Sequence, residues 1–207
     1  MVFAFSYHSL TLLKEPRPIQ EYCPPMNLWD TAGGFDEPIA ALSACHRRIE
    51  KQMETLARLQ KHVASCGFDD DARIATAGIL RYFIEAAPNH HADEETDLFP
   101  KVLRAAEASL DRSRAYELIA HLLVGHRNMD AAWEQLREAL QALEAGEKTD
   151  LDNQICKEFV LVYSSHIERE EQQLFPLAAR LLGKADLEAL GNAMAQRRGL
   201  PPPEFAA

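Results

Sequence analysis

From residue 39 onward, apolar side chains return in alternating steps of three and four. Ile39, Leu42, Ile49, Met53, Leu56 and Val63 form one such seam, and His46 occupies a seam place within it. That spacing predicts a helix with one buried stripe. Asp36 followed by Pro38 reads as its capping acid and early proline, and Gly67 reads as its end. A second helical segment is predicted from about Asp70 to Glu107, with a kink or break near Pro88 and Pro100. A third runs from near Asp111 to just before Gly146, with Leu122, His126, Met129, Trp133, Leu136, Leu140 and Leu143 on its seam. A fourth opens at Thr149 or Asp150 and closes at Gly183, its inner face continued by Ile155, Phe159, Val162, His166, Glu170 and Gln173.

Four long helices with short connections predict an all-α, up-down-up-down four-helix bundle over residues 36–183. Residues 1–35 hold Pro16, Pro18, Pro24, Pro25, Gly33 and Gly34 and read as an irregular N-terminal arm. Residues 184–207 read as a short amphipathic helix, about Asp186 to Arg198, and an extended tail. Met26 is a plausible alternative start.

The two halves of the bundle match. HHADEETDLFP (90–100) shares His, Glu, Glu, Leu, Phe and Pro in place with HIEREEQQLFP (166–176). CHRRIEKQMETL (45–56) shares His, Arg, Glu and Leu in register with GHRNMDAAWEQL (125–136). The first helix pair therefore corresponds to the second, which predicts a pseudo-two-fold bundle whose matching residues meet at its middle.

Composition narrows the function. The 207 residues are 47% apolar, enough for one substantial core, and carry a formal net charge of −10. That balance argues against nucleic acid and against an anionic membrane surface, since both need clustered Lys and Arg. No apolar run reaches the roughly 20 residues that span a bilayer. The opening MVFAFSYHSLTLLKEPRP lacks the basic region and cleavage site of a signal peptide. Cys23, Cys45, Cys66 and Cys156 form no CxxC pair and suit a reducing compartment, so a cytoplasmic location is expected.

The chemistry lies in the repeated stretches. Residues four apart in a helix stand about 40° round and ~6 Å along from one another. His90 with Glu94, and His166 with Glu170, are thus stacked on inner faces, while His46 and His126 look inward from the other two helices. Bare polar groups in an apolar core cost several kcal/mol each, and metal ions remove that cost. Imidazole with carboxylate suits Fe, Mn or Zn over Mg or Ca. Four histidines and two glutamates exceed one ordinary site and fit two metals, each with two histidines, bridged by both glutamates. The geometry leaves room for a small bridging oxygen and an open position for O2, nitric oxide or peroxide.

Several neighbours are weighed against simpler roles. Glu95 and Glu171 point about 100° from the ligand positions and read as salt bridges or as partners of the ligands. His91 reaches the metals only if Pro88 distorts the helix. Glu50 and Asp130, one turn from His46 and His126, read as exposed carboxylates ahead of acceptors for the histidine N–H. Tyr163 reads as a packed tyrosine, Cys45 as facing away, and His8, His62 and His121 as flank residues.

These residues resemble the haemerythrin-like (HHE cation-binding) family, over roughly residues 36–182. The resemblance implies a four-helix bundle holding a non-haem di-iron centre. Carried over, its ligands are His46, His90, Glu94, His126, His166 and Glu170. The implied cofactor is two Fe ions, with Mn or Zn as substitutes, and an oxo or hydroxo bridge. The aligned Leu-Phe-Pro triplets match His90 rather than His91 to His166. Oxygen-carrying haemerythrins place two histidines one turn apart on the third helix, where this chain has Leu122 and Asp130 beside His126. They also use an Asp five residues past the last His, where this chain has Glu170 at four. The four-His, two-Glu set is closer to the bacterial di-iron proteins of nitric oxide stress and iron–sulphur repair. Those carry an N-terminal Cys-Cys pair, for which this chain offers only Cys23 in EYCPPM.

The expected function is binding of O2, nitric oxide or peroxide for sensing, scavenging or stress protection. A peroxide-dismutating enzyme on the same metals is the first alternative. A metal-free or zinc-bound interaction bundle is the second. A ferritin-like di-iron enzyme needs Glu-x-x-His on two helices, and no Glu here lies three residues before a His.

Overall fold

The computed structural model describes residues 34–205. Helix α1 is Pro38–Cys66, ended by Gly67 at φ 79°. The rod α2, residues 70–106, joins Asp70–Arg81, Ala87–Ala92 and Phe99–Ala106 through two wider, π-helical turns, Tyr82–Ala86 and Asp93–Leu98. Helix α3 is Arg112–Glu144. The rod α4, residues 153–181, joins Asn153–Arg169 and Phe175–Leu181 through the π turn Glu170–Leu174. Helix α5 is Lys184–Arg197. Each of α1 to α4 packs against the two rods flanking it, so the described chain is the all-α bundle that its periodicity predicts.

The local signals mostly act as expected, with three corrections. Helix α1 is entered at Glu37, not capped by Asp36, and Glu37 makes no side-chain capping bond. Helix α4 opens at Asp152, whose carboxylate accepts from the N–H groups of Gln154 and Ile155, rather than at Thr149 or Asp150. Gln173 is exposed, and Leu174 takes the inward place. The π turn is the reason: its extra residue rotates every later side chain by about 100°.

All three π turns precede a proline. Pro88, Pro100 and Pro176 each stand second in the α segment that follows. A proline ring clashes with the carbonyl four residues back and donates no hydrogen bond. The chain responds by shifting the preceding N–H one carbonyl further: Ala87 bonds to Tyr82, Phe99 to Glu94, and Phe175 to Glu170. The break expected near Pro88 and Pro100 is thus a wide turn, and Pro176 adds one that the seam reading passed over.

The core divides in two. One cluster gathers Ile49, Leu56, Ile79, Met129, Leu136, Phe159 and Ile167 at one end of the bundle. The other gathers Leu42, Leu98, Val102, Ile119, Leu122 and Leu174 at the opposite end. Helix α5 belongs to this second cluster through Leu190, Met194 and Ala195. His46, His90, Glu94, His126, His166 and Glu170 are buried along the four rods between the clusters. Residues 1–33, and with them His8, Cys23, Met26 and nearly all of the expected arm, lie outside the described residues.

Candidate metal centre

The six sequence-predicted side chains meet. His46, His90, Glu94 and Glu170 bring one donor atom each to within 4.8 Å of one another, and so do Glu94, His126, His166 and Glu170. Both groups contain both glutamates. Around Glu170, His166 Nε2 lies 2.9 Å from Oε1 and His46 Nε2 3.1 Å from Oε2. Around Glu94, His126 Nε2 lies 3.4 Å from Oε2 and His90 Nε2 3.6 Å from Oε1. Glu94 and Glu170 are 0% exposed.

Despite these approaches the layer is not satisfied internally. His46 Nε2, His126 Nε2, His166 Nε2 and all four oxygens of Glu94 and Glu170 are buried without a hydrogen-bond partner. Natural cores leave few such atoms, because each costs on the order of 1–3 kcal/mol. Nitrogen and carboxylate donors collected in this way are a set that divalent transition metals satisfy. The residues present therefore fit the group that the donor pattern implies.

Two acceptors orient the inward histidines. Glu171 Oε1 accepts from His46 Nδ1 at 2.7 Å, and Ser43 Oγ donates to the other Glu171 oxygen at 3.1 Å. Glu95 Oε1 accepts from His126 Nδ1 at 2.6 Å. With the Nδ1 proton engaged, each ring presents Nε2 inward as a lone-pair donor. Glu95 and Glu171 are thus partners of ligand positions, reached across helices. Glu50 and Asp130 are exposed.

The Leu-Phe-Pro triplets gain a physical account. Leu98 and Leu174 are fully buried beneath the layer. Phe175 stacks on His46 at 5.2 Å and 7°, and Phe99 on His126 at 5.8 Å and 18°. Pro100 and Pro176 impose the π turns that begin beside Glu94 and Glu170.

The electrostatics place protons unevenly in the metal-free layer. Burial pushes His46 down, but Glu170 and Glu171 outweigh it and hold the imidazole up at about 9. Burial likewise opposes His126, which Glu170 and Glu94 raise to about 10. Burial and the nearby Glu170 charge raise Glu94 to about 8. Glu170 goes the other way: burial opposes ionisation, yet its close histidines hold it well below the usual carboxylate range. Burial keeps His90 neutral, well below its usual value, and drives His91 to about 3.

The remaining candidates fall outside the two groups. His91 stacks on His126 at 4.2 Å and 12°, with Nδ1 3.9 Å from Asp130. Tyr163 packs between Phe83 and Phe159, as expected of a core tyrosine. Cys45 is buried and accepts from Arg48 at 2.9 Å. His62 meets Asp69, the residue that caps α2, and His121 is exposed. Sequence reasoning missed Asp93, which is fully buried and bonded by Arg197 and Arg198 of the chain beyond α4.

Fold and donor set together define a cation-binding helical bundle. Residues 37–178 match the family described as Hemerythrin HHE cation binding domain. The chain belongs to that haemerythrin family. It is also 30% identical over 164 residues, covering 79% of this chain and 91% of the relative, to a Haemophilus influenzae (strain Rd) protein that bears the name "Uncharacterized protein". No helix of the described residues is long and apolar enough to cross a membrane.

Proposed function

We propose that this chain holds two iron ions and binds a small ligand, O2, nitric oxide or peroxide, in sensing, scavenging or stress protection. His46 and His90 serve one ion, His126 and His166 the other, and Glu94 and Glu170 are shared between them. The observation that carries this reading is the overlap of the two four-donor groups in both glutamates. Sharing halves the number of buried carboxylates needed and holds the two cations as a pair. Bound iron supplies redox chemistry and an open coordination position.

The protein's own groups supply the rest. Glu171 and Glu95 fix ring orientation at His46 and His126. Phe175 and Phe99 cover those rings and keep bulk water from them. The apolar clusters on either side make a low-dielectric chamber suited to an uncharged ligand. The unpaired Cys45, Cys66 and Cys156 support a cytoplasmic setting.

Purification from iron-supplemented cells tests the proposal. Two irons per chain are expected, with a spectral change on adding nitric oxide. Iron content that survives Glu94→Ala with Glu170→Ala contradicts it. Oxygen release from added peroxide would move the reading from a binder to a dismutating enzyme.

A further inference from the structure

The duplication makes the two sides of the layer comparable, and they are not alike. Positions on α1 and α3 correspond at an offset of 80, and those on α2 and α4 at 76, as the matched stretches set. His91 corresponds to Ile167, and Trp133 to Met53. Ile167 and Met53 are buried, at 5% and 7% exposure, in one apolar cluster. Their counterparts instead line a cleft of about 930 Å³ between α2 and α3. The cleft reaches the metal layer: His91 on its wall stacks on His126, and Glu95 on its wall holds His126 Nδ1. His91 Nε2 is buried and without a hydrogen-bond partner, while its Nδ1 faces Asp130 at the rim.

We infer that this cleft is the port through which an uncharged small ligand reaches the His126 side of the metal centre, with His91 as its inner wall. The inference rests on the metal-binding reading above. In the other half the buried Ile167 and Met53 fill the matching positions within the apolar cluster. Aromatic walls at Phe83, Trp133 and Tyr163 suit a neutral, weakly hydrated ligand. The rim sets the sign. Glu134 is paired with Arg137 and Glu95 with His126 Nδ1, which leaves Asp130 as the rim carboxylate, 3.9 Å from His91 Nδ1. A carboxylate at the rim repels anions and leaves neutral molecules unaffected. The ligand class is therefore O2, nitric oxide or hydrogen peroxide ahead of azide or other anions.

The test uses the full chain carrying Trp29→Phe, so that Trp133 alone fluoresces. Ala131 lines the cleft at an exposed place on α3, and its counterpart across the pseudo-two-fold is the exposed Lys51. In metal-free protein, Ala131→Phe should weaken acrylamide quenching of Trp133, and Asp130→Asn should strengthen iodide quenching alone. In iron-loaded protein, Ala131→Phe should slow nitric oxide association about tenfold, as expected for an obstructed approach. Iron content should stay unchanged, and Lys51→Phe should do neither. Weakened quenching with an unchanged association rate overturns the port and leaves the metal reading intact. A parent protein that takes up no metal sinks both, and elemental analysis reads that outcome before any ligand is added.

Discussion

Asp93 stands one residue ahead of Glu94, is 0% exposed, and accepts a hydrogen bond from Arg198 Nη2 at 2.7 Å. Arg197 bonds both Asp93 and Asp97. The segment after α4 thereby grips the π turn that presents Glu94. Burial raises the Asp93 pKa, and the two guanidinium groups oppose that rise. Arg198→Ala leaves this carboxylate short of partners. A loss of roughly 2–4 kcal/mol is expected in urea unfolding of the metal-free protein. Asp93→Ala combined with Arg198→Met should recover part of it, since neither charge then remains buried alone.

Glu171 and Glu95 occupy matching places in the two halves and do the same work for His46 and His126. Replacing either with Ala frees an imidazole to rotate and to change tautomer. Metal affinity should fall about 10–100-fold for each, read by competition with a chromophoric chelator. Helical content should stay unchanged.

Gly125 lies in the middle of α3, where alanine ordinarily stabilises a helix by up to about 1 kcal/mol. A Cβ there would fall 2.4 Å from His166 Nδ1. Gly125→Ala is therefore expected to displace the His166 ring and weaken metal binding despite its better helix propensity. Thermal unfolding with and without metal checks this: the variant should lose most of the stabilisation that metal gives the parent protein.

Protons and metal compete for the same atoms. In the metal-free chain His46, His126 and Glu94 hold protons at pH 7, with values near 9, 10 and 8. All three are raised above their unfolded values, so each stabilises the fold at low pH and loses that contribution as pH climbs through its folded value. His90 and His91, which burial depresses, act the opposite way at acid pH, so stability of the metal-free protein should fall from about pH 7 to about pH 10. Metal binding runs oppositely, because the ligands must lose their protons, and apparent affinity should rise over neutral and alkaline pH. Calorimetry in buffers of different ionisation enthalpy should detect proton release on metal uptake.

The bundle and the ligand set were legible because they are written periodically. His46 and His126 sit in apolar seams, and the repeated Leu-Phe-Pro triplet fixes the register that singles out His90 over His91. The path of the chain after Glu170 was less legible, since a seam drawn at regular helical spacing leads to Gln173, whereas the π turn brings Leu174 inward. The role of Asp93 was illegible for a different reason. It reads as one more surface acid in ADEET, and the arginines that make its burial tolerable lie more than a hundred residues away in the chain. The cleft also carries no local mark, and shows only when the two halves are compared position by position.

Anomalous diffraction at the iron edge, from crystals of the full chain grown with iron, tests the central claim most directly. Two peaks per chain are predicted, one beside His46 and His90 and one beside His126 and His166, with Glu94 and Glu170 reaching both. A single peak, no peak, or two peaks that do not share the glutamates would contradict it.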